Sequence, residues 1–550
     1  MGRAAMTSTK QGEMAMGAVE AVTSAPPADA GLVAALSAIV GDDAVQTGED
    51  ARIFFSTDIW RRGPSARAVV RITSAEQLAE VVRCCTSLGL AVIPRGGGFS
   101  YTAGYVPTRE NCVVVDMRGL DAIIEINEAD MYVRVGTGCT WQRLYETLKA
   151  RGLRTPYYGP MSGYRATVGG ALSQGSFFLG SSEYGTTAES VLSLEVVLGD
   201  GSIIHTGSDG DGRDTGPFFR HYGPDLTGIF LGDTGALGFK TVATLKLIRF
   251  PEAQAYGSFS FANGADTVAA LSEIGRAGLA AEAYAWDPYF VELMSQATTG
   301  TRQDLSFLWQ VIRNGSGIVD GLAAGLRMAL NGKRVFARDT HIVQVMIDSH
   351  SAAGAAARLK KVRAIALGHG GRELAPSIPR ATRAQPFVDF NVPERRSELR
   401  NLPTNSIYPH SRAPAAMAAI RAFFDGEKDC MTRHGVTMGM VLFAVGRNAM
   451  CIEPLVYWND AEHFLHDRIA ERSDSKELAT HAERPEATLY VLDMRERLKA
   501  VMRAHGAVHV QIGKAYDWLQ TREPGLRGII GAIKSAVDAK GLINPGSLGL

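Results

Sequence analysis

The 550-residue chain has no excess of either charge, because Lys+Arg and Asp+Glu each total 57. A chain with no net field does not recruit nucleic acid or an anionic membrane by electrostatics, and no basic block interleaved with aromatics stands in for one. Cysteine is also scarce. Cys84, Cys85, Cys112, Cys139, Cys430 and Cys451 form no CxxC pair, which argues against a zinc site or a disulfide framework and for reduced thiols in a cytoplasmic protein. No apolar run reaches the length of a membrane span. The first thirty residues are small and polar, without the apolar stretch of a secretory signal, so residues 1–35 are expected to be a mobile leader. The remaining composition, 46% apolar and 21% charged, is globular and too long for a single core. A small-molecule ligand is the expected partner.

Along the chain, helical and strand patterns alternate. A helix is expected after Ser74, which is placed to cap it, followed by a short strand "AVIP". "CVVVDMRGL" and "MYVRVGTG" read as strands, and "WQRLYETLKARG" as a helix closed by Gly152. "SVLSLEVVLGDGSIIHTG" reads as a hairpin turned at Gly199–Gly201. After Pro251 the character changes to Ala-rich helices alternating with strands, including a strand pair around Gly446–Asn448. The tail is expected to be a helix stopped by Gly541, then a turn at Asn544–Gly546.

What the chain has in quantity is glycine, in three clusters beside strands. "PRGGGFSYTAG" holds Gly96, Gly97 and Gly98 directly after the first strand. "GPMSGYRATVGGALSQGSFFLGSSEYG" follows from Gly159, with a texture too loose for a buried helix, and "GIFLGDTGALGFKT" runs from Gly228 to Thr241. Glycine allows several consecutive N–H groups to turn toward one point and hold an anionic oxygen. One such loop is as well explained by a tight connection where only Gly fits. Three together favour an elongated ligand with phosphates and a flat ring, a dinucleotide.

In order and separation, "PRGGGFSYTAG", "RATVGGALSQG", "YGTTAESVLSLEVVLGDGSI" and "GPDLTGIFLGDTGALGF" resemble the FAD-binding domain of the vanillyl-alcohol oxidase / p-cresol methylhydroxylase superfamily. The closing "KGLINPGSLG" resembles that family's C-terminal return to the flavin domain. The resemblance implies an α+β fold. A PCMH-type FAD-binding domain of two α+β subdomains would span residues 36–252, an inserted cap of antiparallel sheet and helices 253–515, and a returning segment 516–550. It implies that Arg95 to Ser100 (Arg95, Gly96, Gly97, Gly98, Phe99, Ser100) form a pyrophosphate nest, with Pro94 and Tyr101 beside it. Thr167, Val168, Gly169, Gly170 and Ala171 would run along the pyrophosphate and ring, with Gly159, Pro160, Ser173 and Ser176 in the same loop. Gly232, Gly235, Leu237 and Gly238 would close the adenine side, where Asp233 stands in place of the family's Glu.

The departures are informative. Many relatives tether the flavin through a His where this chain has Phe99, and some through a Cys where it has Arg165. Neither residue offers a nucleophile, so dissociable FAD is expected. "AVHVQIGKAYDW" resembles the active-site stretch of FAD-linked D-lactate and glycolate dehydrogenases, and nominates His509, Lys514 and Tyr516 for catalysis; His410 and Arg412 in "SIYPHSRAP" are nominated as an anion clamp. The metal-binding H-x-x-D-G-N-x-H stretch of that group is absent from "FAVGRNAMCIEPLVYW", so no metal is expected there. The same region supplies Arg447, Glu453, Tyr457 and Trp458, placed to face a substrate or the outside of a sheet. The expected activity is hydride transfer to FAD from a CH–OH group of a 2-hydroxy acid or an alcohol, with quinone, cytochrome or oxygen as electron acceptor and a possible homodimer. The alternatives are an alkyl transferase of the alkyl-dihydroxyacetonephosphate synthase type and a non-catalytic flavin-fold binding protein.

Overall fold

A computed structural model describes residues 29–59, 61–213, 215–297, 340–387, 399–460 and 484–550. The first sheet has the order β1(Val45–Gln46)–β2(Ala68–Arg71)–β4(Cys112–Asp116)–β3(Ala91–Arg95). Strands β2, β4 and β3 run parallel. Parallel strands are buried on both faces, and the continuous "CVVV" run of β4 meets that demand, its residues being fully covered. The helix Ala75–Ser87 lies on this sheet through Leu78, Val81, Val82 and Cys85, and Ser74 Oγ caps it by accepting the Gln77 N–H at 3.2 Å. At the other end of the chain, Ile543 bridges beside Val92, so the C-terminus joins the β3 edge.

The second sheet is antiparallel, β5(Ile123–Asn127)–β6(Tyr132–Gly136)–β10(Phe239–Lys246)–β8(Val191–Val197)–β9(Ile203–His205), and β7(Leu153–Arg154) pairs with β11(Ile248–Arg249) beside it. The hairpin β8–β9 turns where Gly201 adopts φ +79°.

The third sheet begins at residue 253. Its order is β15(Arg372–Leu374)–β12(Ala253–Phe261)–β14(His341–Ser349)–β13(Glu282–Trp286)–β18(Thr437–Val445)–β19(Ala449–Asn459)–β16(Leu399–Pro403), with β17(Ser406–Pro409) also on β19. Side chains alternate between its two faces. Met440, Leu442, Ala444, Met450 and Ile452 lie under the helices Gly264–Ala277, Ala352–Gly368, Ala413–His434 and Pro485–Ala504. The opposite set, Tyr284, Trp286, Ile342, Met346 and Val441, packs on the second sheet's domain in a shared core.

That junction also holds a closed ionic network. Arg383 donates to Glu282 (2.7 Å), Asp348 (3.1 Å) and the Tyr158 hydroxyl (2.6 Å). Arg154 takes the other Asp348 oxygen at 2.7 Å, and Tyr158 donates to Glu282 at 2.7 Å. Two arginines and two carboxylates, all buried, neutralise one another across the boundary.

Three local expectations change. Asp29 caps a helix over Ala30–Val40 by accepting the Leu32 N–H, so the leader expected to residue 35 overlaps an ordered helix; residues 1–28 lie outside the described residues. The loose second glycine cluster contains a short helix, Val168–Gln174, because Thr167 Oγ1 caps it at the Gly170 N–H. The tail helix ends at Val537 rather than near Gly541, because the Asp538 carboxylate accepts from the N–H groups of Leu542 and Ile543 and turns the chain.

Candidate cofactor and active site

The three glycine clusters converge on one cleft. Its wall includes Pro94, Gly96, Gly97, Gly98, Phe99, Ser100 and Tyr101 from the first cluster, Pro160, Thr167, Gly169, Gly170, Ser173 and Ser176 from the second, and Gly235 from the third. The glycines are there for close approach. A Cβ on Gly96 would lie 2.5 Å from Thr167 Oγ1, and one on Gly97 would run into the Arg165 carbonyl. Gly98 has φ +78° and sits against the Arg95 guanidinium. The N–H groups of Gly97, Gly98 and Phe99 find no acceptor among the described residues, so the loop keeps unused donors of the kind that hold phosphate oxygens.

Six of the nominated cofactor residues stand off the cleft wall. Arg95 is buried behind the loop, its guanidinium 4.6–5.1 Å from the rings of Phe54, Phe55 and Tyr105, where it props Gly98 from beneath. Gly159 (φ +143°) packs on Trp141 and Phe387, and Val168 is core. Gly232 donates its N–H to Leu172 O at 2.9 Å, while Leu237 and Gly238 pack inward, Gly238 against Val196. Asp233 is the turn's anchor. Its carboxylate accepts from Gly235 N–H (3.0 Å) and Leu237 N–H (3.3 Å) and pairs with Lys240 Nζ at 2.7 Å.

Several wall residues were not nominated from sequence: Thr137, Gln174, Thr234, Lys240 and Gln511. Gln174 Oε1 is buried without a partner. Gln511 holds φ +53°, a conformation costly for a non-glycine residue, and donates its N–H to Gln174 O at 2.7 Å. Its signal was its place inside the H-x-x-x-G-K stretch. That stretch is a seam. Val510 N–H donates to Asn405 Oδ1, Gly513 N–H to Thr234 Oγ1 and Lys514 N–H to Thr102 O, so residues 510–514 stitch all three glycine clusters and the third sheet together.

The nominated catalytic side chains divide. His509, Lys514 and Tyr516 lie behind Gln511 rather than on the cleft wall. His509 Nδ1 is 2.7 Å from the Asn405 carbonyl, which only accepts, so Nδ1 carries the proton and Nε2 presents a bare lone pair, buried and unpartnered. Burial pushes this imidazole down to about 4, so it is neutral near pH 7. Its ring stacks on Tyr516 at 4.2 Å, and burial pushes the Tyr516 phenol up to about 12. Lys514 Nζ donates to Val106 O (2.6 Å) and Asn544 Oδ1 (2.9 Å), which makes it a clasp for the C-terminal segment, with its ammonium pushed down to about 7 by burial. His410 and Arg412 do not form an anion clamp at this site. Strand alternation is the reason: Ile407 faces Phe177, so Tyr408 and His410 face the helices, His410 beside Ser272 (2.9 Å), and Arg412 is exposed at the start of Ala413–His434.

A family model described as an FAD-binding domain matches residues 66–207. The chain is 30% identical over 250 residues to "Probable D-lactate dehydrogenase, mitochondrial" of Danio rerio, covering 45% of this chain and 48% of that protein. It is 31% identical over 185 residues to "Glycolate oxidase subunit GlcD" of Bacillus subtilis (strain 168), covering 34% and 37%. The chain thus spans about half or less of the length of the curated relatives it matches. Among solved structures, p-cresol methylhydroxylase with substrate bound is similar over 96% of this chain and 98% of its own, at 17% identity and a TM-score of 0.71. Alkyldihydroxyacetonephosphate synthase is similar over 96% and 87%, at 17% identity and a TM-score of 0.67. The fold is PCMH-type: α+β, with an FAD-binding domain and a sheet-and-helix cap.

The cleft fits FAD on its own terms. Unused backbone donors at Gly97–Phe99, the orphaned Gln174 Oε1 and the absence of any side chain that would fill the glycine cradle are what a phosphate-bearing, flat-ringed ligand requires. All six cysteines are free, and among the described residues no group of His, Cys, Asp and Glu is arranged to hold a metal. Among those residues no helix is long and apolar enough to cross a membrane.

Proposed function

We propose that this protein is an FAD-dependent oxidoreductase that removes hydride from a CH–OH group of a small 2-hydroxy acid or alcohol. The observation that carries the reading is the single cleft where three glycine clusters meet, two of them within the residues that match an FAD-binding domain. Gly97 to Ser100 would hold the pyrophosphate through backbone N–H groups, and Thr167, Gly169, Gly170, Ser173, Gln174 and Gln511 would line the ring. FAD, when bound, supplies the two-electron acceptor. The chain supplies the cleft wall and the seam that positions Gln511.

In this reading FAD is dissociable. Phe99 packs edge-on against Tyr164 at 5.8 Å and has no nucleophile, and Arg165 spreads over the same Tyr164 ring at 5.5 Å. A quinone, a cytochrome or oxygen takes the electrons, and the free thiols agree with a cytoplasmic location. The test is anaerobic bleaching of the bound flavin by D-lactate, glycolate and 4-hydroxybenzyl alcohol, followed by admission of air. Bleaching by one of them supports the reading, and none across a wider panel refutes it. Acid precipitation separates the tether question: yellow supernatant supports dissociable FAD, yellow pellet overturns it.

A further inference from the structure

Lys240 brings an ammonium to the cleft, and the fold uses only part of it. The residue lines the cleft together with Met117 and Thr137, and its side chain is 2% exposed. Among the described residues its Nζ has one acceptor, Asp233 Oδ1 at 2.7 Å. An ammonium carries three N–H donors, so two are left over. Asp233 is fully engaged, since it also accepts from the N–H groups of Gly235 and Leu237, and it stands off the cleft wall. The two charges cancel. What remains at the wall residue is a pair of buried donors, which are costly to keep unless something in the cleft accepts from them.

Lys240 and Gln511 stand at opposite ends of the helix Val168–Gln174. Near the helix start, a Cβ on Gly169 would lie 2.6 Å from Thr137 Cβ, and Thr137 Oγ1 donates to Lys240 O at 2.6 Å. At the helix end, Gln174 O accepts the Gln511 N–H at 2.7 Å. Five helical residues separate Gly169 from Gln174, about 8 Å. The first glycine cluster meets the helix at its start, where a Cβ on Gly96 would lie 2.5 Å from Thr167 Oγ1. Gly235 of the third cluster leans on Pro94, with its added carbon at 2.8 Å from Pro94 Cγ, and closes the Lys240 end. The cleft therefore has a middle of backbone donors at Gly97–Phe99, one end at Gln174, Ser176 and Gln511, and another at Met117, Thr137 and Lys240.

We infer that Lys240 is the residue by which the cleft recognises the adenosine half of its dinucleotide, and so selects FAD over FMN. The inference rests on the FAD reading above. The phosphates are served by the backbone donors in the middle of the cleft, and the flavin ring by the Gln174–Gln511 end. Because Asp233 neutralises the Lys240 charge, the spare donors suit an uncharged acceptor, a purine nitrogen or a ribose hydroxyl, better than a second anion. FMN ends at its phosphate and has nothing to offer at that position. Asp233 acts only through Lys240: it is a positioning residue, fixing Nζ from a turn that its own carboxylate ties at Gly235 and Leu237.

The test titrates deflavinated full-length protein with FAD, FMN and ADP, by fluorescence for the flavins and by displacement of FAD for ADP. Lys240→Met keeps the length of the side chain and removes its donors. It is expected to weaken FAD and ADP by about 10- to 100-fold and FMN by less than about twofold. Lys240→Met also leaves the Asp233 carboxylate buried without its cation, so the double variant Asp233→Asn with Lys240→Met, neutral on both sides, repeats the measurement and should show the same pattern. In the wild type, FAD should bind at least about tenfold more tightly than FMN. Equal losses for FAD and FMN would place Lys240 on the phosphate or the ring, and unchanged FAD and ADP affinities would leave it a clasp for the turn. Either result overturns the inference and leaves the FAD reading intact. FMN binding to the wild type as tightly as FAD overturns it without any variant. Failure of the wild type to take up FAD removes both.

Discussion

The sharpest consequence of the glycine cradle concerns Gly97. Its Cα stands so close to the neighbouring loop that an added methyl would meet the Arg165 carbonyl oxygen, with the carbonyl carbon at 3.0 Å and Ala166 Cα at 3.3 Å. All three are backbone atoms, so no side chain can swing aside. The loops must separate by roughly 1 Å before ordinary contact is restored. Overpacking of this kind costs about 1–3 kcal/mol. Because the loop that moves carries the unused donors, much of that cost should appear in FAD binding, and about 1.4 kcal/mol is tenfold in affinity. Gly97→Ala is therefore expected to weaken FAD by about 5- to 150-fold, measured by fluorescence titration of deflavinated protein. Gly232→Ala is the control. Gly232 has φ +67° but nothing within 4 Å of its added carbon, and it is off the cleft wall. It should lower thermal stability slightly through backbone strain and leave FAD affinity unchanged. If Gly97→Ala binds FAD within twofold of the wild type, the cradle does not depend on close loop approach and the reasoning fails.

Breaking the buried Asp233–Lys240 pair by Asp233→Asn strands an ammonium on the cleft wall, because both side chains are almost fully covered; a loss of about 3–5 kcal/mol in urea unfolding is expected, and a loss below 1 kcal/mol would contradict it. Arg383→Met removes the cation that serves Glu282, Asp348 and Tyr158 at once, and the same range of destabilisation is expected in the cap transition. His341 gives a pH prediction. Burial, then the adjacent Arg421, pushes its folded value down to about 4 from 6.5, so the unfolded chain binds the extra proton. Its contribution is fully present above about 6.5 and is lost as pH falls toward about 4, at roughly 1 kcal/mol per pH unit. Urea midpoints at pH 7 and pH 5 should fall less in His341→Gln than in the wild type, and an identical fall in both would exclude His341 as the source.

How much of this was legible in the sequence depends on the kind of signal. The glycine clusters could be found because a backbone demand, close approach or positive φ, leaves a mark in residue type. The wall residues Thr137, Gln174, Lys240 and Gln511 leave no such mark: each is common, and each reaches the cleft only through long-range pairing, as when Gln511 N–H meets Gln174 O. The helix Val168–Gln174 was hidden by its two glycines, which the Thr167 cap and tight loop packing outweigh. The helix Ala30–Val40 was hidden by the polar segment before it.

His410 and Glu453 make the same point from opposite sides. His410 directly follows β17 and Glu453 lies within β19, and parity along the paired strands decides which face each side chain takes. The break at Thr404–Asn405 offsets β17 from β16, and nothing in "NLPTNSIYPHSR" states the register on the far side of it. An arginine, a tyrosine and a histidine gathered in one loop suggested chemistry; the pairing of Ile407 with Cys451 turns that histidine to the helices and leaves Glu453, an unremarkable acid inside an apolar run, on the opposite face with Val441. Register, rather than residue type, decides which face each of these side chains takes here. The placement of His410 can be tested directly: His410→Gln should leave flavin reduction and its pH profile untouched, and a loss of either would mean that the strand offset has been assigned to the wrong side of the sheet.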